Sequence, residues 1–372
     1  MKHKNTLRAL VLAMLCSCTS SPKQEVKTLK DAYASKFHIG AALNVDQIMG
    51  RDEKSMFLVK NHFNSIVAED CMKSENIQPK ENEFFFEEAD KFVEFGEQNN
   101  MFIVGHTLIW HSQAPAWFFV DEEGNDVSRE VMIERMRNHI YTIVGRYKGR
   151  VHGWDVVNEA IEDDGSFRNS KFLQIIGEDY LKLAFQFTHD ADPEAQLYYN
   201  DYSMDNEGKR NTVIKLAQSL KDAGLRIDAI GMQTHAGLNH PNIVEYEKSL
   251  SAFAGLGLKV MATEFDVTVL PSPWEQTGAE ISLNFDYTEE SDPFKNGQSA
   301  DNEAKLANRY IEFFKLFNKY SNDVTRVTFW GVTDNQSWRN NWPIKGRTDY
   351  ALPYDRNYQA KAFVEELIEL SK

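Results

Sequence analysis

The chain has 372 residues, 42% hydrophobic and 26% charged, proportions that exclude a disordered polymer and a multi-span membrane protein. Its formal net charge of −15 argues against broad contact with nucleic acid, whose phosphates would be repelled rather than neutralised. Length alone permits one large domain or two ordinary ones.

The amino terminus carries Lys2, Lys4 and Arg8 with no acid, then a short apolar run from Ala9 to Cys16. That order predicts a secretory signal over residues 1–18, too short to span a bilayer permanently. The run ends in Leu15-Cys16-Ser17-Cys18, which resembles the lipobox of bacterial lipoproteins. Cys18 fits the lipidated position better than Cys16, before which stand the bulky Met14 and Leu15. The expectation is an exported, membrane-anchored lipoprotein, outer-membrane or periplasmic, with residues 19–34 as a polar tether. Loss of residues 1–18 removes three positive charges and takes the net charge to −18. Only Cys71 then remains, so the mature chain has no internal disulfide and depends on core burial.

From residue 35 to residue 372 short apolar runs alternate with longer amphipathic stretches, without linker or repeat. The runs are His38–Leu43, Ser65–Ala68, Met101–His106, Gly153–Val157, Gln196–Tyr199, Ala229–Gln233, Lys259–Thr263 and Arg326–Gly331. Helical spacing marks Phe84–Asn99, Ser128–Lys148, Phe172–Asp190, Gly208–Ala223, Ile243–Gly255 and Ala300–Tyr320. Eight such alternations predict an α/β fold of one domain, a (β/α)8 TIM barrel rather than an open doubly wound sheet. The one long connection, Val269–Ser299, either extends a cleft or covers the barrel.

Each apolar run stops at a reactive residue: Glu69, His106, Asn158-Glu159, Asn200, His235, Glu264 or Trp330. In a barrel the carboxyl ends of all strands open onto one face, so these side chains converge there. Glu159 and Glu264 each follow an apolar run, where partial desolvation raises a carboxyl pKa. Two carboxyls across a cleft are the minimum apparatus for glycoside hydrolysis. Glu264 and Asp266, two apart on a strand, share a face, and His235 on a neighbouring strand can bridge them. His111 and Asp155 form a similar candidate pair. His106 and His111, five residues apart, are poorly aligned for zinc, and no metal or cofactor is expected.

Taken together, Phe63–Glu69, His106–His111, Trp154–Glu159, Gln233–His235, Thr263–Asp266 and Phe329–Trp338 resemble, in order, glycoside hydrolase family 10, the retaining endo-β-1,4-xylanases. The resemblance implies that Glu159 is the acid/base and Glu264 the nucleophile. It implies that Asn158 bonds the sugar 2-hydroxyl, with Asn200 in support. By the same resemblance Glu69, Asp70, Lys73, His106 and Gln233 bind sugar hydroxyls, while Trp110, Trp330 and Trp338 wall the cleft against pyranose faces. The partners it implies are xylan and xylo-oligosaccharides; a monomer is expected, and with no separate carbohydrate-binding module visible, binding to bulk polysaccharide would rest on the cleft alone.

Two positions depart from the family's pattern. Asp70 stands where asparagine is usual, and an ionised carboxylate accepts but cannot donate a hydrogen bond. Ser74 stands in place of tryptophan. Gly255-Leu256-Gly257 lacks the third glycine of a dinucleotide fingerprint and reads as a turn, and Asn335-Gln336-Ser337 fits a glycosylation acceptor by chance. Competing readings are a barrel hydrolase of β-glucan or cellulose, and a catalytically silent glycan-binding lipoprotein.

Overall fold

A computed structural model describes residues 28–272 and 283–372. The signal segment and Cys18 lie outside those residues, as does part of the Val269–Ser299 connection. Nine parallel strands appear among the described residues: β1 (His38–Leu43), β2 (Ser65–Ala68), β3 (Phe102–Trp110), β4 (Gly153–Asn158), β5 (Gln196–Asp201), β6 (Ala229–Met232), β7 (His235–Gly237), β8 (Lys259–Thr268) and β9 (Val324–Phe329). Eight of them close a ring, β1 to β6 in order, then β8, β9 and back to β1. The short β7 pairs with β8 alone, in the register His235 to Asp266. It resumes the line of β6 after Thr234, which takes a left-handed φ of 67°. The predicted (β/α)8 barrel is the observed one.

Inside the ring, Ala42, Val67, Val104, Tyr198, Ala229 and Met261 pack together beneath Trp330. This is a filled core, as expected when eight strands taper around side chains rather than a pore. Glycine permits one of the tightest contacts: a Cβ on Gly105 would lie 2.1 Å from the Trp154 ring of the paired strand. The second, larger core lies between strands and helices. Helix Glu87–Gln98 shows why it forms there: Ala89, Phe92, Val93 and Gly96 fall on one stripe and are buried, while Glu87, Glu88 and Asp90 favour its amino-terminal dipole.

Three expectations change. Phe172–Asp190 is not one helix but two, Lys171–Ile176 and Asp179–Ala191, because Gly177 between them takes φ 81° and ends the first. The tether does not reach residue 34: Thr28 caps a helical turn, Leu29–Ala32, that belongs to the barrel. Leu29 and Tyr33 are fully buried there, and the Tyr33 hydroxyl donates to the Leu367 carbonyl at 2.7 Å. Burying two such side chains stabilises by roughly 1.5–3 kcal/mol each, which offsets part of the entropy lost in ordering the segment. The third concerns β3 and β8, which each continue four residues beyond His106 and Glu264, the polar residues where their apolar runs stop.

The described parts of the long connection wall the cleft rather than merely cover the barrel. Pro293 and Phe294 line it together with Leu270 and Pro271. Buried Asp292 anchors this wall by accepting the Thr348 amide at 2.9 Å.

Candidate active site

The carboxyl ends of the strands open into a cleft of about 1490 Å³. Glu69, Asp70, Lys73, His106, Trp110, Asn158, Glu159, Gln233, His235, Glu264, Trp330 and Trp338 all line it. Asn200, Asp155 and Asp266 lie just beneath, fully or almost fully buried. His111 follows the end of β3, with its ring 5.8 Å from that of Trp110. The expected pairing of His111 with Asp155 is therefore corrected: His106 Nδ1 stands 2.9 Å from Asp155 Oδ2. Register decides this, since β3 and β4 place His106 directly beside Asp155.

A chain of amides joins the two glutamates. Gln233 Nε2 donates to Glu159 Oε1 at 2.8 Å and to Asn158 Oδ1 at 3.3 Å. Asn200 Nδ2 donates to Asn158 Oδ1 at 3.0 Å and to Glu264 Oε1 at 2.8 Å. Thr263 Oγ1 fixes the orientation of Asn200 by donating to its Oδ1 at 2.6 Å. Neither glutamate can rotate without breaking a hydrogen bond that its neighbour also needs.

On the Glu264 side, His235 Nε2 stands 3.1 Å from Glu264 Oε2. Its Nδ1 is 3.1 Å from Asp266 Oδ2, an ion-pair contact that bridges the two carboxylates as expected. Asp266 in turn accepts Trp338 Nε1 at 2.8 Å and Arg339 Nη2 at 2.9 Å. Burial opposes a charge on His235, but Asp266 and Glu264 overcome it and push its pKa up to about 9. Burial alone would raise Glu264, yet the hydrogen bonds from His235 and Asn200 hold it below the usual carboxylate value. Burial likewise resists ionising Asp266, and Arg339 with His235 holds it far down.

On the Glu159 side, Trp110 Nε1 donates to Oε2 at 2.8 Å. Burial first and the charge of Asp201 second push the Glu159 pKa up to about 7. Within this pair, therefore, one carboxyl carries a proton near neutrality and the other is ionised, the division of labour acid–nucleophile chemistry requires. At one end, Lys73 Nζ pairs with Asp70 at 2.8 Å and lies 5.3 Å from the Trp110 ring. Burial, then the adjacent Asp70 charge, raises Glu69 to about 8. Ser74 Oγ stands 3.3 Å from Nε2 of the buried His139.

The sequence profile of "Glycosyl hydrolase family 10" matches residues 28–370. The chain belongs to glycosyl hydrolase family 10. The chain is 49% identical over 364 residues to "Endo-1,4-beta-xylanase A" of Xylanibacter ruminicola, covering 98% of this chain and 99% of that protein. It is 40% identical to "Endo-1,4-beta-xylanase B" of Paenibacillus barcinonensis, over 91% of this chain and 96% of the relative. Among solved structures, a GH10 endoxylanase from a sugarcane soil metagenome superimposes with a TM-score of 0.89 at 44% identity, covering 92% of this chain and 99% of that one. The profile begins at residue 28, where the first buried turn of the barrel begins.

Sequence reasoning missed several groups of this family member's cleft. Arg339 and Trp342 line it, with Trp342 stacked on Trp338 at 5.0 Å between ring centres. Arg168 and Lys209 hold Tyr202 from below. Arg168 lies in a loop, which carries no periodic signal, and Lys209 opens a helix whose buried stripe is otherwise apolar apart from Arg210, so nothing local distinguished either from solvated cations.

Proposed function

We propose that this enzyme, an endo-1,4-β-xylanase, cuts xylan with retention of anomeric configuration by a two-glutamate double displacement. Glu159 protonates the leaving glycosidic oxygen while Glu264 attacks the anomeric carbon. Glu159, now ionised, then takes a proton from water as the glycosyl–Glu264 ester is hydrolysed, which restores both groups. The observation that carries this reading is the split between the two carboxyls, Glu159 raised to about 7 and Glu264 held low, within one hydrogen-bonded chain. Retention requires them to approach within ~5–5.5 Å of one another across the bond.

Asn158 Oδ1 already accepts from two amides, so its NH₂ is the side that can donate to the 2-hydroxyl of the sugar under attack. Glu69, Asp70, Lys73, His106 and Gln233 bind the remaining hydroxyls. Trp110, Trp330 and Trp338 meet the C–H faces of the xylose rings.

The test is mass-spectrometric trapping with a 2-deoxy-2-fluoro-xylobioside, alongside reducing-end release from xylan and from cellulose. A covalent adduct on Glu264, product from xylan and none from Glu264→Ala support the reading. An adduct elsewhere, or inverted product by NMR, would overturn the mechanism; cellulose cut faster than xylan would move the substrate. We also propose that the monomeric enzyme is exported and anchored through lipidated Cys18. Partition of the full chain into a detergent phase, abolished by Cys18→Ala, is the expected result, with a monomer by light scattering.

A further inference from the structure

Immediately after Glu159 the chain turns back on itself in a hairpin that the reaction scheme does not use. Ile161 bridges Phe167 antiparallel, the Glu162 amide donates to the Ser166 carbonyl at 2.8 Å, and Thr212 holds the tip by donating to the Gly165 carbonyl at 2.7 Å. At the foot of this hairpin sits Arg168, its side chain 13% exposed. Its amide donates to the Ala160 carbonyl at 2.8 Å. Its guanidinium is divided among three groups: Nε donates to the Glu159 carbonyl at 2.8 Å, Nη2 to the Tyr202 hydroxyl at 2.6 Å, and Nη1 lies 2.9 Å from Glu162 Oε1.

The backbone it grips is an unusual one. Glu159 takes φ 58°, a left-handed conformation that a non-glycine residue with a long side chain adopts only when its surroundings impose it. Both polar groups of that residue's main chain are fixed, the amide to the Asn200 carbonyl at 2.9 Å and the carbonyl by Arg168. The anchor behind Arg168 is itself rigid. The Tyr202 ring lies over Lys209 Nζ at 3.5 Å, and the fully buried Lys209 pairs with Asp201 at 2.9 Å.

We propose that Arg168 is a positioning residue for proton donation: it holds the left-handed backbone of Glu159, aims that carboxyl at the leaving oxygen, and sets a positive charge beside it. This rests on Glu159 being the acid/base. The hydrogen bonds and ion pair of Arg168 end on Glu159, Tyr202 and Glu162 and none reaches Glu264, His235 or Asn200, so its contribution falls on protonation of the leaving group and not on nucleophilic attack.

Leaving-group dependence measures that distinction. The full chain, Arg168→Ala and Arg168→Lys are compared on xylotetraose, whose leaving sugar needs a proton, and on 2,4-dinitrophenyl β-xylobioside, whose leaving phenolate does not. For Arg168→Ala, kcat/KM on xylotetraose falls roughly 10- to 100-fold, as a misplaced general acid would give. On the dinitrophenyl substrate it is unchanged. The basic limb of the xylotetraose profile also moves to higher pH, because loss of the cation disfavours the ionised carboxyl. Arg168→Lys keeps the position of that limb but not the full rate. An equal fall on both substrates, or an unmoved limb in Arg168→Ala, overturns the proposal. Glu159→Ala is the control: if it lacks the leaving-group split, the acid/base assignment itself fails, whereas a split there and none in Arg168→Ala defeats only the role of Arg168. Should Arg168→Ala not fold, Arg168→Lys decides by the same split, a wild-type rate or a uniform loss overturning the proposal.

Discussion

Glu159 and Glu264 are nearly equal in burial, 6% and 5% exposed, yet their proton affinities move in opposite directions. Desolvation is the leading influence on both and raises both. What differs is the neighbourhood. Glu264 faces a histidine held positive by Asp266, and so stays ionised. Glu159 accepts hydrogen bonds from two neutral groups, Trp110 and Gln233, while the charge that acts on it most strongly is the carboxylate of Asp201. Burial alone therefore does not separate the two carboxyls; the sign of the charge that dominates at each one does.

The contrast between the two carboxyls breaks most completely at Glu264. Glu264→Ala is expected to lower kcat by roughly 10⁴- to 10⁶-fold on every substrate, whatever its leaving group, since no other carboxylate can replace the attacking oxygen. Measurement on dinitrophenyl and natural substrates checks it, and a loss limited to poor leaving groups would reverse the two roles. His235→Ala comes next, with a fall in kcat of roughly 10²-fold. The low Glu264 pKa depends on the cation and hydrogen bond beside it, so their removal raises it, and the acid limb of kcat/KM moves to higher pH. An unmoved acid limb would show that His235 does not control the nucleophile.

Stability against pH sharpens the same contrast. Glu159 has a folded pKa of about 7, above its ordinary value, so its contribution is greatest when protonated and is lost as pH rises through 7. Glu159→Gln, which keeps the shape without the charge, is expected to melt higher than the parent at pH 8 but not at pH 4. The difference is of order 1–3 kcal/mol, since each tenfold change in proton affinity on folding is worth ~1.4 kcal/mol. His235 and Asp266 run the other way. The raised His235 pKa gives stability that is complete below its unfolded value and is lost as pH rises through about 9. The lowered Asp266 pKa gives stability present above its unfolded value and lost in strong acid. The smallest expected effect is at the cleft's other end. Asp70→Asn restores a donor, loosens the hold on Lys73 and lowers the Glu69 pKa, so KM for xylotetraose should fall by roughly fivefold with kcat unchanged, about the worth of one hydrogen bond. Equal KM values in the two enzymes would remove Asp70 from the binding surface.

Local pattern alone determined much of this protein. The strands His38–Leu43 and Ser65–Ala68 and the helix Ile243–Gly255 match their predicted bounds residue for residue, because period and end signals are carried by adjacent side chains. The alternation of such elements specified a barrel, and the barrel specified a face on which strand-end residues meet. Tertiary structure decided what short range cannot encode. Strand register gave Asp155 to His106 instead of His111, and core burial drew residues 28–34 into the barrel. Pairing with neighbouring strands carried β3 and β8 past their first polar residues, and the turn after Glu159 set Arg168 on its carbonyl. The sequence named two glutamates and a bridging histidine. Which carboxyl keeps its proton depends on charges brought close by folding, since a Coulomb field follows distance in space and not separation along the chain.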